Sequence, residues 1–335
     1  MEATSIATVQ PETAKAPSHA LFWWLGTFAG AFLGCVLLFA VYAKALDPAA
    51  FAEQIHADGL DFALPARAVA LIALALEAGL GLALLFGLRR NWVLVPAALL
   101  VAFFLALTGR AWWLAAHGLQ LDASCGCFGN LLQRTPAEAF WQDLSLLVPP
   151  LLLAFVGRDR RAPRFPPVRT AAAAVGALAV VAFAWKAPEL PLDDLATRLR
   201  PGVGIGELCA GSDAERTCLD SLVPELRQGR HLVVIAQLDD PQLTRSVDAL
   251  NAYAGDAGNP LLWLLTAATP EQQRAFFWRW GPAFQIRQTP PELLRPLYRR
   301  LPRAFTVKDG RVSQTFAGMP PLATNPKTPS ERSSL

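Results

Sequence analysis

The sequence predicts a membrane all-α four-helix bundle with one further transmembrane helix, followed by an α/β domain outside the membrane. Three observations support this fold class. The 335 residues are 53% hydrophobic and 17% charged, with a mean hydropathy of +0.32, which is too apolar for a soluble protein of this size. Five apolar segments each approach the roughly 20 residues that cross a bilayer. After residue 187, strand-like and helix-like patterns alternate.

Each predicted span has its own justification. The first lacks a small-residue cleavage site after a short apolar core, so we expect a retained helix rather than a cleaved signal peptide. The fourth is interrupted by Asp143, Pro149 and Pro150, but the run from Leu144 to its end is otherwise almost wholly apolar, and it counts as a span. The five spans are Leu21 to Tyr42, Ala66 to Leu88, Trp92 to Ala116, Phe140 to Val156 and Val168 to Trp185.

These spans divide the chain into five parts. The predicted parts are a disordered cytoplasmic N-terminus (1–19), a four-helix membrane domain (20–157), a basic linker with the fifth helix (158–186), an external domain (187–322) and a disordered tail (323–335).

The arginines predict the orientation, because Lys and Arg accumulate in short cytoplasmic loops. Arg89 and Arg90 lie between the second and third spans, and the connection between the fourth and fifth holds four arginines within 158–164. Both connections should be cytoplasmic, which places the N-terminus inside and the C-terminal domain outside. The basic residues form short clusters between apolar runs and the net charge is only +3, which argues against a nucleic acid partner.

The cysteines form two couples on the external side. In DASCGCFGNL, Cys125 and Cys127 flank Gly126 in the loop after the third span, while Cys209 and Cys218 lie in the external domain. Outside the cytoplasm thiols tend to pair, so both couples are candidate disulfides. Cys35, in the first span, belongs to neither couple.

The Cys125–Cys127 couple is the candidate redox site. A disulfide across one residue closes a very small, strained ring, and strain makes a disulfide easier to reduce. Gly126 permits the tight backbone that such a ring needs. Three alternatives stay open: the thiols pair elsewhere, stay reduced, or bind a metal. A metal site is disfavoured because it needs about four ligands and the nearby histidine is His117.

Two charged residues lie within the predicted spans. Glu77 is near the middle of the second span and Arg110 is in the outer half of the third. Such residues are costly in lipid and are functional candidates. Arg110 can reach inward to Glu77 or outward to the headgroups, and a role in packing or insertion competes with a role in proton movement. Asp143 is interpreted as an interfacial residue.

The N-terminal part of the chain resembles a known family. The order of elements is similar to that of the methylamine utilisation protein MauE family, relatives of the DoxX-like membrane proteins. Three apolar helices, the second of which holds the mid-span acid Glu77, are followed by a cysteine motif and a further helix. The motif is Cys125, Gly126, Cys127, Phe128 and Gly129. The resemblance covers about residues 21–156. It implies a four-helix protein of the bacterial inner membrane linked to periplasmic disulfide chemistry, in some relatives for maturing an amine-oxidising, quinone-cofactor enzyme.

The external domain shows a second resemblance. Predicted strands HLVVIAQL and NPLLWLLTA alternate with predicted helices QLTRSVDALNAYA and TPEQQRAFFWRWG, which indicates a mainly parallel sheet. A final hairpin turns at Asp309 and Gly310, with Pro302 before its first strand. This order resembles thioredoxin-like domains, and the resemblance implies that Pro302 is the cis-proline.

The exchange cysteines of such domains are missing here. Asp240 and Leu243 stand at their positions, and without a thiolate there is no exchange. Cys209 and Cys218 flank a turn-rich segment, and a structural disulfide is favoured over a redox one because the closed loop is longer and can be unstrained.

Two functions therefore remain. In the first, the protein is a thiol-disulfide oxidoreductase that passes electrons between Cys125/Cys127 and a periplasmic partner, with a membrane quinone as its only candidate cofactor. In the second, it is a non-catalytic assembly factor, anchored by the bundle and docking a partner through the external domain.

Overall fold

The computed structural model describes residues 18–118, 134–158, 166–211 and 216–322. All five predicted spans are helices long and apolar enough to cross a membrane. The long helices are α1 (Ser18–Leu46), α3 (Ala66–Leu85), α4 (Asn91–Ala116), α5 (Pro136–Val156) and α6 (Pro167–Lys186). The chain is thus built as a multi-pass membrane protein.

Helix α5 continues without a break past the two prolines that weaken its sequence pattern. It begins at Pro136, before the predicted start at Phe140, because Thr135 and Glu138 form a capping box that satisfies the first free backbone N–H groups. Pro149 and Pro150 lie inside the helix. Neighbouring helices in a membrane bundle allow such prolines to be accommodated.

A short helix that the sequence reading missed follows α1. Helix α2 (Pro48–Ala57) occupies the connection predicted as an external loop, and it packs on α3. Asp47 starts it by accepting a hydrogen bond from the Ala50 N–H at 3.1 Å, and Pro48 stands at its first position.

The bundle consists of α1, α3, α4 and α5, with α6 on its outside. Helix α1 packs on α3 and α5, α4 packs on α5, and α6 packs on α3. Small residues allow the closest approach: a Cβ on Gly34 of α1 would lie 2.6 Å from the Gly81 carbonyl oxygen of α3. One apolar core runs through all four bundle helices. The predicted four-helix bundle with a further helix is the architecture observed.

The two ends of the bundle differ. At one end, Arg89 is 2% exposed and donates to the carbonyl oxygens of Gly157 at 2.6 Å and Trp23 at 3.1 Å, so it caps the C-terminal end of α5 and ties it to α1. At the other end α1, α4 and α6 finish and α3 and α5 begin. We call this the sheet-side end, because α6 leads from it into the C-terminal domain.

The C-terminal domain, called the sheet domain below, is built on five strands in the order β5-β4-β3-β6-β7. Two ladders, β3–β4 and β4–β5, are parallel, whereas β3–β6 and β6–β7 are antiparallel. The sheet is therefore mixed rather than mainly parallel, because the C-terminal hairpin adds its first strand beside β3. The strands are β3 (Arg230–Ile235), β4 (Leu261–Thr266), β5 (Gln285–Gln288), β6 (Arg303–Lys308) and β7 (Arg311–Phe316).

Alternating side chains cover both faces of this sheet. Val234 and Leu264 join the apolar core under α9 (Pro241–Ala254) and α10 (Pro270–Trp280), while Val233 and Phe305 join a core on the other face. Smaller elements complete the second face and its edge, namely α7 (Asp193–Ala196), β1 (Cys209–Ala210), β2 (Thr217–Cys218), α8 (Leu219–Leu222) and α11 (Pro291–Leu294).

Candidate functional site

The predicted redox motif lies outside the described residues. Cys125, Gly126, Cys127, Phe128 and Gly129 all fall within 119–133. The residues on either side of this segment are described: α4 ends at Ala116, and α5 begins at Pro136. Both flanks therefore emerge at the sheet-side end of the bundle.

The intramembrane acid Glu77 is paired with Lys44. Lys44 Nζ donates to Glu77 Oε1 at 2.5 Å, and the two side chains are 4% and 0% exposed. The geometry follows from side-chain direction, because Cβ atoms tilt toward the start of their own helix. In the antiparallel pair α1 and α3, this tilt turns Lys44 and Glu77 toward each other.

Arg110 is not the partner of Glu77. It is exposed, and its charge acts on Asp58, whose pKa is nevertheless raised by burial. The inward reach considered from the sequence is thus wrong, since Glu77 is already bonded by a cation from the opposite helix. Lys44 was missed as a site residue because it ends an apolar run, where a lysine usually extends to the interface.

Two aromatic rings enclose the Lys44 ammonium. Its Nζ lies 4.7 Å from the Phe104 ring centroid on α4 and 5.0 Å from that of Phe51 on α2. Cation–π attraction in a desolvated site adds to the ion pair. The rings also shield the pair from water, so its Coulomb attraction is little screened.

Two buried carboxylate oxygens near this pair lack a hydrogen-bond partner among the described residues. They are Oε2 of Glu77 and Oδ2 of Asp47. Asp47 is 8% exposed. Burial raises its pKa, while the Ala50 N–H and the charges of Arg295 and Arg299 oppose that rise.

A second buried ion pair lies nearby on α5. Asp143, interpreted from the sequence as interfacial, is only 1% exposed, and Arg134 Nη1 lies 3.3 Å from its Oδ1. Asp143 is not interfacial as interpreted, because Arg134, which precedes the cap of α5, folds back on the first turns of that helix and neutralises it. Asp143 also lines a narrow crevice with Val36, Phe104 and Leu147, between α1, α4 and α5.

The sheet domain is joined to the sheet-side end by arginines. Arg295 is ion-paired with Glu53 on α2. Arg299 donates to the carbonyl of Ala187, the residue that caps the end of α6, at 2.7 Å. Within the sheet domain, Arg303 is 1% exposed and lies 3.0 Å from an Asp194 carboxylate oxygen of α7. Arg303 begins β6 opposite the end of β3, and the α7 helix that it binds packs on α1, so this edge of the sheet faces the bundle.

The sequence-predicted residues of the sheet domain lie in distinct places. Cys209 and Cys218 are joined by a disulfide and are partners in the β1–β2 hairpin. The Leu301–Pro302 peptide bond is cis. Asp240 caps α9 by accepting from the Gln242 N–H at 2.7 Å. Leu243, in the first turn of α9, is fully buried in the core between that helix and the sheet.

Other candidate groups are few in the part of the chain that the structure describes. Cys35 carries a free thiol on the exposed side of α1. No group of three or more His, Cys, Asp or Glu side chains could hold a metal ion among the described residues.

Comparison with known proteins finds a similarity that covers the bundle. Residues 22–156, which run from within α1 to the end of α5 and include the CGC motif, match the family model of methylamine utilisation protein MauE. The match supports a MauE-like membrane domain and ends before α6 and the sheet domain. No curated protein is significantly similar to the chain.

Proposed function

We propose that this MauE-like protein carries out thiol-disulfide exchange through Cys125 and Cys127 for a periplasmic partner. The observation that carries the proposal is the family match, which spans the CGC motif, together with the described flanks of that motif at the sheet-side end. In this proposal the membrane is a bacterial inner membrane. The sheet-side end faces the periplasm because the arginine-rich connections mark the other end as cytoplasmic.

The exchange needs only the two cysteines and the partner. A thiolate of the pair attacks a partner disulfide, forms a mixed disulfide and releases one partner thiol. The second cysteine then attacks the mixed disulfide, which leaves the pair oxidised and the partner reduced. Run in reverse, the same steps oxidise the partner. The strained one-residue ring favours this reverse direction, because strain makes the pair's disulfide easier to reduce.

A membrane quinone is the electron acceptor that would renew the disulfide. Oxidation of the dithiol to the disulfide would release two electrons and two protons, which such an acceptor would take up.

The partner in this proposal is a periplasmic enzyme that requires disulfides to mature. The matching family is named for methylamine utilisation. The resemblance to that family implies an amine-oxidising, quinone-cofactor enzyme as this substrate. The sheet domain, taken as a thioredoxin-like fold, would hold that enzyme near the motif.

A second candidate function is supported by the sheet domain itself. Its only cysteines, Cys209 and Cys218, are already joined to each other. At the positions of exchange cysteines, Asp240 serves as a helix cap and Leu243 as core. A domain built this way suits docking without redox chemistry, and the whole protein would then be an assembly factor.

Mixed-disulfide trapping separates the two functions. Cys127→Ser and Cys125→Ser are expressed in intact cells, with Cys35→Ser as the matched control on the same bundle. The exchange function predicts that one of the two variants accumulates a reducible adduct with a periplasmic protein, because the resolving thiol is gone. Absence of an adduct in both variants, with full cellular function retained, rejects exchange and favours the assembly factor.

A further inference from the structure

The edge of the sheet domain farthest from the bundle is both aromatic and basic. The carboxyl ends of β3 and β4 face the bundle, so the first residues of these strands lie at the opposite edge, called the distal edge below. Helices α9 and α10 return the chain to this edge, because each joins two parallel strands. Their last turns therefore lie beside the starts of the strands.

The last turn of α10 presents aromatic side chains to solvent. Phe277, Trp278 and Trp280 are 53%, 83% and 36% exposed. Leu261, which begins β4 at the same edge, is 62% exposed. Phe277 and Trp278 contact edge to face, and the Arg279 guanidinium lies 5.4 Å from the Trp280 ring centroid. Neighbouring apolar side chains left in water on a soluble domain mark a binding surface.

Three cations stand in register at the same edge. Lys308 is directly opposite Arg230 of β3 and Arg311 of β7, and all three side chains are exposed. Like charges directly opposite each other in a sheet are destabilising. Among the described residues none of the three is in an ion pair. The carboxylate of Asp309, in the turn after Lys308, accepts the Gly229 N–H at 3.0 Å.

The cations and the aromatic turn belong to one continuous surface. Arg230 points to the sheet face that α9 and α10 cover, because it alternates in step with the buried Leu232. Its charge acts on Tyr253 in the last turn of α9. Asn251, in the same turn, donates to the carbonyl of Gly281, the cap of α10, at 3.1 Å. The end of α9 therefore connects the cations to the aromatic turn.

We propose that this distal surface docks an acidic segment of the periplasmic partner protein, an inference that rests on the proposed function for the partner and its compartment. Aromatic residues and arginines carry much of the binding energy in protein interfaces, and carboxylates of the partner would neutralise the cations. The distal surface consists of Arg230, Lys308, Arg311, Phe277, Trp278 and Trp280.

The position of the distal surface favours a protein over a lipid surface. The bundle, and with it the membrane, lies at the opposite edge of the sheet domain. A six-residue strand spans roughly 20 Å, less than the diameter of about 30 Å of a small protein domain. A partner protein held at the distal edge therefore still reaches the sheet-side end of the bundle.

Peptide binding to the full-length chain in phosphatidylcholine nanodiscs tests the distal surface. The probe is a fluorescent peptide rich in glutamate and leucine, and a counterpart with lysine in place of glutamate is its matched control. Fluorescence anisotropy gives the Kd. We expect only the acidic peptide to bind, and Trp278→Ala and Lys308→Glu each to weaken its binding at least about tenfold. Leu195→Ala on α7 and Arg245→Glu on the first half of α9, both exposed, should bind like the parent.

Lys308→Glu also distinguishes a binding role from a structural one. A glutamate between Arg230 and Arg311 replaces repulsion with attraction, so we expect this variant to unfold at a higher urea concentration than the parent. The same variant binds the acidic peptide more weakly. If the cations served only stability, the urea midpoint and the affinity would not move in opposite directions.

Three results would overturn the distal surface as a docking site. The first is an acidic peptide that does not bind, or that binds Trp278→Ala and Lys308→Glu as tightly as the parent. The second is equal binding of the acidic and basic peptides. The third is co-sedimentation with phosphatidylglycerol vesicles in place of peptide binding, which would identify a lipid surface.

The cysteines separate this test from that of the proposed function. Peptide binding is repeated on Cys125→Ser/Cys127→Ser, in which the Kd is expected to equal that of the parent. A distal surface that fails while mixed-disulfide trapping succeeds leaves the exchange function standing. Peptide binding without a trapped adduct leaves the distal surface standing and removes the exchange function.

Discussion

Replacing Lys44 with methionine should destabilise the bundle far more than removing an exposed lysine does. Lys44→Met keeps the side-chain length but leaves the fully buried Glu77 without its cation. Breaking a buried pair by removing one partner costs about 3–5 kcal/mol, because the remaining charge is uncompensated. The cation–π contacts with Phe104 and Phe51, at 4.7 Å and 5.0 Å, are lost as well.

The double variant Lys44→Met/Glu77→Gln should recover part of that loss. Removing the second charge eliminates the unpaired carboxylate, so we expect a coupling energy of about 1–3 kcal/mol between the two positions. The assay is unfolding in mixed detergent–SDS micelles, followed by tryptophan fluorescence. Lys186→Met, which removes the exposed Lys186–Glu189 pair, is the matched control and should cost about 0–1 kcal/mol. Equal unfolding midpoints for Lys44→Met and Lys186→Met would refute the reasoning.

Three further predictions concern the disulfide of the sheet domain, the buried carboxyl group of Asp47 and the membrane orientation. Cys209→Ser/Cys218→Ser should lower the unfolding free energy of the sheet domain by about 2–4 kcal/mol, and a urea midpoint equal to that of the parent would contradict this. Asp47→Asn should flatten the pH dependence of stability: with a raised folded-state pKa, the native protein loses stability as pH rises through that pKa, and asparagine removes the loss. Thermal unfolding across pH checks the sign. A reporter active only in the cytoplasm, fused after Leu335, should be silent, and reporter activity would contradict the external placement of the C-terminal domain.

The helices and most strands could be predicted because local patterns determine them. Apolar runs of about 20 residues identified all five long helices, since lipid requires a continuous apolar surface and internal backbone pairing. In the sheet domain, β3 and β4 contain the apolar runs LVVI and LLWLL between polar turns. The mixed character of the sheet was missed because it depends on where the final hairpin docks, which is a nonlocal pairing.

The candidate site was less accessible to sequence reasoning. Glu77 could be selected as a buried charge, but its partner lies 33 residues away on another helix, and side-chain direction decides the pairing. Arg110, the nearest apparent candidate by depth, points elsewhere. The burial of Asp143 was missed for a similar reason, because a loop arginine folds back to neutralise it. Charges that look interfacial in sequence can be interior once a counterion reaches them.

The role of the sheet domain stays a prediction. Its edge with the carboxyl ends of β3 and β4 faces the bundle, where Arg295 pairs with Glu53 of α2 and Arg299 bonds to the carbonyl of Ala187 at the end of α6. A partner that docks on this domain would therefore be held at the end of the bundle where α4 finishes and α5 begins. This placement is compatible with both the exchange function and the assembly-factor function. The redox behaviour of Cys125 and Cys127 distinguishes the two.

The redox state of Cys125 and Cys127 in intact cells tests the central claim most directly. Acid quenching followed by thiol alkylation and peptide mapping measures the fractions of dithiol and disulfide at these two positions. The exchange function predicts that both forms are present and that a brief pulse of reductant followed by washout shifts the pair to dithiol and back. A pair that stays fully reduced, or fully oxidised, through the same pulse and washout would contradict it.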